Sequence, residues 1–153
     1  MARSDDGGKT WSESKLGLPS DFKFTGFTLS RDSGWLYLSG YEVGQNQRLL
    51  FRSEDGTRTW KPLAPSPEPF VLVADPHVPT TVYGFGGGRF FHSLDGGASW
   101  TEHSAGLERF ELTGPLLLDP HRPGVVLAGT ACGLVIEIEL PYHHLGPAGR
   151  LSQ

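Results

Sequence analysis

The sequence predicts an all-β chain made of repeated four-stranded antiparallel units, on three observations. A nine-residue stretch occurs three times, as RSDDGGKTW (Arg3 to Trp11), RSEDGTRTW (Arg52 to Trp60) and HSLDGGASW (His92 to Trp100). A second marker runs in phase with it, since ADPHVPTTVYGFGGG from Ala74 is echoed by LDPHRPGVVLAGTACG from Leu118. Between the markers, short apolar runs alternate with turn residues, and 21 Gly and 12 Pro in 153 residues would interrupt any helix. Trp11 to Trp60 is 49 positions, Trp60 to Trp100 is 40, and Asp75 to Asp119 is 44. Two unrelated markers at one period indicate a repeat architecture.

The elements follow in order. The first nine-residue stretch reads as a hairpin turn with an outgoing strand at Thr10 to Ser14. KFTGFTL, a turn at Asp32 to Gly34, WLYLSGY, a turn around Gly44 to Asn46, RLLFRS, the second stretch and TWKPL make four strands. FVLVA ends at Asp-Pro, as expected of a strand covered on both faces; TVYGF, a hairpin at Gly86 to Gly88, RFFHS, the third stretch and SWTEH complete a second set. Three more strands are expected at about Phe110 to Asp119, Val125 to Ala131 and Leu134 to Leu140. Four-stranded antiparallel units at this period are the signature of propeller blades. The expected fold is therefore a β-propeller arc of about three blades, a partial propeller occupying 1–140. Its parts are an incomplete blade at 1–14, blades at 22–64 and 70–104, an incomplete blade at 110–140, and an irregular tail at 141–153.

The nine residues themselves are a folding device. Ser4, Ser53, Ser93, Asp6, Asp55 and Asp95 have short oxygen-bearing side chains suited to accept hydrogen bonds from amides left free in a turn. Gly8 and Gly97 permit positive φ. Trp11, Trp60 and Trp100 are expected to bury beside the turns, each contributing about 3–5 kcal/mol by comparison with large-to-small core losses.

The pattern S-x-D-x-G-x-[ST]-W resembles the Asp-box, or BNR repeat, of sialidases, xyloglucan-degrading hydrolases, sortilin-type receptors and photosystem II assembly factors. Ser4, Asp6, Gly8, Thr10 and Trp11 match every position. So do Ser93, Asp95, Gly97, Ser99 and Trp100, with Ser99 in place of Thr. The second copy keeps Ser53, Asp55, Thr59 and Trp60 but has Thr57 where the pattern has Gly, so its turn is expected to be distorted or partly opened. In the family these boxes lie at the blade periphery, away from the active site, so the resemblance implies a scaffold rather than a reaction. It implies a protein- or glycan-binding scaffold; the alternative is a piece or subunit of a sialidase-like or xyloglucanase-like glycoside hydrolase. It also implies ring closure, because an arc of three blades leaves apolar flanks and strand edges open. The expected partner is a second copy, giving six blades with residues 9–14 completing a neighbour's last blade, or the remainder of a longer chain.

Composition bounds the other classes. Thirteen Lys and Arg against seventeen Asp and Glu give a net charge of -4, with the cations scattered singly, which argues against nucleic-acid and membrane partners. One cysteine, Cys132, excludes an intramolecular disulfide and is expected to be buried or inert. No secretory signal stands in the first twenty residues, so the expected compartment is the cytoplasm, although the family is often exported.

No catalytic residue, cofactor or metal site is legible. The SDDGG turn is not an EF-hand loop, since position twelve from Ser4 is Lys15 rather than a bidentate Glu. His77 and His121 follow Asp-Pro and read as turn residues; His92 and His103 are expected to face solvent, and the adjacent His143 and His144 do not converge on an ion. Glu137 and Glu139 share one face of a strand about 7 Å apart, within glycosidase range, but alternation of this kind marks any half-exposed strand. The arginine cluster and Tyr–Glu pair of sialidases are not marked by any motif. GFGGGRF lacks the helix and the Lys-Ser/Thr pair of a phosphate loop.

Overall fold

The computed structural model describes residues 2–13, 16–45, 47–63 and 71–140. Among these there is no helix, and thirteen strands form four antiparallel sheets. A hairpin pairs β1 (Ala2–Arg3) with β2 (Ser12–Glu13). The first full sheet is β3 (Phe22–Leu29), β4 (Leu36–Glu42), β5 (Gln47–Ser53) and β6 (Lys61–Pro62). The second is β7 (Val71–Ala74), β8 (Val82–Gly86), β9 (Arg89–Ser93) and β10 (Thr101–Glu102). The last holds β11 (Leu112–Leu118), β12 (Val125–Thr130) and β13 (Val135–Glu139). Strand order follows chain order in every sheet, so each is a meander. Ser14, Lys15, Asn46, Phe70, residue 64 and the whole of 141–153, with His143 and His144, lie outside the described residues.

The sheets stack through their first strands, with β3 against β7 and β7 against β11. Side chains alternate across each strand, so each sheet offers one face to the sheet before it and one to the sheet after. Tyr37, Leu50, Leu72, Ala74 and Val82 fill the first seam, with Trp35, Leu63 and Trp100 packed against them. Tyr83, Phe85, Phe90, Leu112, Leu116, Val126, Ala128 and Ile138 fill the second. Each large side chain so enclosed contributes about 1.5–3 kcal/mol, which makes the seams, rather than the turns, the main source of stability. Leu38, Phe51 and Trp60 form a third cluster on the outer face of the first sheet.

One glycine is dictated by a close approach. Gly40 on β4 lies where a Cβ would fall 2.2 Å from the Lys23 carbonyl oxygen and 2.3 Å from the Phe22 ring. β3 also carries an irregularity between Phe24 and Gly26. Beyond the seams both outer sheets show apolar side chains: Phe24 and Phe27 on β3, Leu117 on β11 and Val135 on β13. Phe24, Phe27, Ala2, Leu36, Leu38, Thr57 and Trp60 line an apolar cleft of about 380 Å³.

Candidate functional site

The chemistry-bearing residues singled out in the sequence gather in three turns of one design. In the first, the Ser4 Oγ accepts from the Gly8 amide at 2.7 Å and donates to Asp6 Oδ1 at 2.8 Å. Asp6 in turn accepts from the Thr10 amide at 2.9 Å and the Thr10 hydroxyl at 2.6 Å. The second turn repeats this, Ser53 accepting from the Thr57 amide at 2.9 Å and Asp55 from the Thr59 amide and hydroxyl at 2.9 and 2.6 Å. In the third, Ser93 accepts from the Gly97 amide at 2.8 Å, and Asp95 from the Ser99 amide and hydroxyl at 2.8 and 2.6 Å.

These bonds favour the charged carboxylate. The hydroxyl and amide of Thr10 hold Asp6 down at about 2, and those of Thr59 hold Asp55 there too. Burial pushes Asp95 up, but the hydroxyl and amide of Ser99 outweigh it and leave its carboxyl below the ordinary range. The acids are therefore anionic acceptors, spent on holding the turn.

Two expectations about these turns need correction. The second turn is not opened by Thr57: the residue adopts φ 73°, close to the 89° of Gly8 and Gly97, and its amide keeps the bond to Ser53. The strain sits in one β-branched residue instead of in a broken turn. The tryptophans are not equivalent either. Trp60 is 3% exposed and sits with Leu38 and Phe51, and Trp100 is half-buried in the first seam. Trp11 is 65% exposed, because its turn belongs to a two-stranded hairpin, and its indole N–H donates to the Gly8 carbonyl at 3.2 Å.

An interaction missed in the sequence links the turns. The Arg3 guanidinium donates to the Gly56 carbonyl of the next turn and pairs with Asp5. The Arg52 guanidinium does the same one repeat on, reaching the Gly96 carbonyl at 2.8 Å, pairing with Glu54 at 2.5 Å and stacking on the Trp35 ring at 4.2 Å. The signal was present as Arg-x-Asp and Arg-x-Glu (Arg3 and Asp5, Arg52 and Glu54). The third copy has His92 and Leu94 instead. Strand register extends the series: Arg52 lies opposite Tyr37, His92 opposite Tyr83 and Glu137 opposite Leu127.

Glu137 takes its cation from within its own sheet. Arg122 binds it through two parallel bonds of 2.8 Å and binds Asp119 at 2.7 Å. Arg122 holds the Glu137 carboxyl below its usual range, the opposite of what a general acid needs. Glu139 shares that exposed face, while Ile138 is buried behind it. The Asp-Pro turns are structural in the same way. Buried Asp75 accepts from the amides of His77 and Val78 and from the Tyr83 hydroxyl, and Asp119 from the amides of His121 and Arg122.

Cys132 is exposed rather than buried, because the tight turn of Thr130 to Gly133 carries it outward; the Thr130 hydroxyl beside it draws the thiol down. His92 and His103 do not face solvent. Both are half-buried, with ring centroids 4.5 Å apart, because both stand on the face that packs toward the last sheet. The glycines of GFGGGRF form the tight connection between β8 and β9. Among the described residues no three His, Cys, Asp or Glu side chains converge.

Meandering antiparallel sheets stacked through their first strands define an all-β chain of the β-propeller class, and the likeness to solved structures agrees. The chain is similar to the GH74 xyloglucanase from Xanthomonas campestris, with a TM-score of 0.62 and 20% identity over 83% of this chain and 22% of that one. It is also similar to YCF48 from Cyanidioschyzon merolae, with a TM-score of 0.53 and 19% identity over 81% of this chain and 36% of that one. The chain thus spans about a fifth and a third of the length of these two propellers. No protein-family model matches the sequence, and no curated protein matches it significantly.

Proposed function

We propose that this chain is an Asp-box propeller segment acting as a non-catalytic scaffold for a protein or glycan ligand. Its blades are the hairpin at 1–14, the sheets at 22–64 and 70–104 and the three strands at 110–140, followed by a tail at 141–153. Ser4, Asp6, Gly8, Thr10 and Trp11 and their counterparts in the second and third turns are its structural residues. The observation that carries this reading is the commitment of the acids: Asp6, Asp55 and Asp95 are held by turn amides and hydroxyls, and Glu137 is locked to Arg122. A panel of chromogenic glycosides gives no turnover above buffer on this reading. Hydrolysis abolished by Glu139→Gln would instead establish the hydrolase reading.

That second reading, a piece of a glycoside hydrolase whose remaining groups lie elsewhere, is favoured by the likeness to a xyloglucanase. The two outer sheets also support a closure proposal. Phe24 and Phe27 on one side and Leu117 and Val135 on the other are covered by a second copy, with the hairpin that carries residues 9–14 extending a neighbour's last sheet, or by the remainder of a longer chain. Light scattering behind a sizing column gives twice 16.7 kDa for self-closure. A well-folded monomer that stays monodisperse would refute self-closure.

A further inference from the structure

At the first seam, Arg52 lies opposite Tyr37, and the Leu63 amide, just past β6, donates to the Leu50 carbonyl at 2.9 Å. At the second seam the corresponding places are held by His92, opposite Tyr83, and by His103, whose amide donates to the Phe90 carbonyl at 2.8 Å. An arginine that braces one repeat to the next, and the leucine beside it, have thus been replaced by two imidazoles. Their ring centroids are 4.5 Å apart with the planes at 41°, and both residues are half-buried. The His103 Nε2 is enclosed, with no hydrogen-bond partner among the described residues. An enclosed ring nitrogen left without a partner is costly, and a ligated ion is one way to satisfy it.

We propose that His92 and His103 form a two-histidine site for a late first-row divalent cation, such as Zn²⁺, Ni²⁺ or Cu²⁺. The spacing fits. With metal–nitrogen bonds of about 2.0–2.1 Å and ring radii of about 1.1 Å, two imidazoles on one ion at angles of about 90–110° have centroids about 4.5–5.2 Å apart. Imidazole suits these ions over Mg²⁺ or Ca²⁺, which seek oxygen. The Tyr83 hydroxyl is committed to Asp75, so water completes the coordination sphere and the ion keeps exchangeable positions. The ion would tie β9 to the segment leaving β10 within the second sheet, on the face turned to the seam that no arginine braces among the described residues. Because only neutral imidazole binds a metal ion, protons compete for the site and affinity falls in acid.

The test is calorimetric titration of the untagged full chain with ZnCl₂ and with NiCl₂ at pH 7.5 and pH 5.5. It is run on the wild type, His92→Gln, His103→Gln and the double variant His143→Ala/His144→Ala, with circular dichroism to confirm folding. The expected result is one ion per chain at pH 7.5, weakened about tenfold or more in each single Gln variant and at pH 5.5, and retained in the tail double variant. If a Gln variant fails to fold, diethylpyrocarbonate footprinting of the wild type replaces it, with His92 and His103 protected by Zn²⁺. Absence of saturable binding, or binding lost only when His143 and His144 are replaced, overturns the proposal.

Discussion

Replacing Thr57 by glycine should stabilise the protein, although it deletes atoms from a half-buried side chain. Thr57 stands at φ 73° in a turn whose counterparts use Gly8 and Gly97, both at 89°. A β-branched residue held in the left-handed region costs about 1–3 kcal/mol. Against this, glycine adds about 0.5–1 kcal/mol of unfolded-chain entropy and gives up some contact in the cleft that Thr57 shares with Trp60. The net expectation is a gain of about 0.5–1 kcal/mol, or about 1–4 °C in Tm for a chain of this size. Urea and thermal melts followed by tryptophan fluorescence measure it. The comparison that sharpens the result is Gly8→Ala, which meets nothing nearer than a Trp11 carbon at 3.8 Å and so tests backbone strain alone. Gly97→Ala adds a clash, its Cβ falling 2.6 Å from a Leu63 methyl, and should be the worse of the two. A Thr57→Gly protein that melts lower than wild type would refute the strain argument and show that the threonine side chain is needed where it is.

Asp95→Ala should lower stability by about 1–2 kcal/mol, as the loss of a capping acceptor does; urea denaturation checks it, and calcium should leave the wild-type Tm unchanged. Arg52→Lys keeps the charge but loses the planar fork that spans Gly96 and Glu54 and the stack on Trp35, so a loss of about 1–2 kcal/mol is expected in the same melts. The turn carboxylates make stability fall in acid. Asp6 and Asp55 titrate at about 2 in the folded chain against an ordinary value near 3.9, so their contribution is complete above about pH 4 and is lost as the pH falls through about 2. Asp55→Asn should flatten part of that slope in acid-titrated melts; an unchanged slope would place the acid sensitivity elsewhere.

How much of this was legible depends on whether the cause is local. The sheets and turns could be placed because an S-x-D-x-G turn and a strand of period two are written in consecutive residues; RFFHS coincides with β9. The exposure of Trp11 was not legible, because burial is decided by which sheet lies over a residue, and one nine-residue pattern sits over a full sheet at Trp60 and beside a bare hairpin at Trp11. Thr57 misled for a related reason. The pattern says what a position prefers, whereas the hydrogen bonds around Ser53 and Asp55 decide what it is forced to do. The Arg52 and Gly96 contact joins residues 44 apart in sequence, and the pairing of His92 with His103 depends on both lying on one face of a sheet.

The arginines give the array a direction. Arg3 reaches forward to Gly56 and Arg52 forward to Gly96, whereas Glu137, at the corresponding place in the last sheet, draws its partner from Arg122 of that same sheet. The first two turns therefore each carry the address of the next, whereas the third, with His92, and the last sheet, with Glu137, carry none. Repeats of this kind are not interchangeable modules: moving the last sheet to the middle would leave an anion where a forward-reaching cation is required. A second copy of the middle repeat, with both its arginine and its glycine carbonyl, could be spliced in without breaking the succession. Growth of the array by internal duplication is thus written into its side chains, and growth by shuffling is penalised.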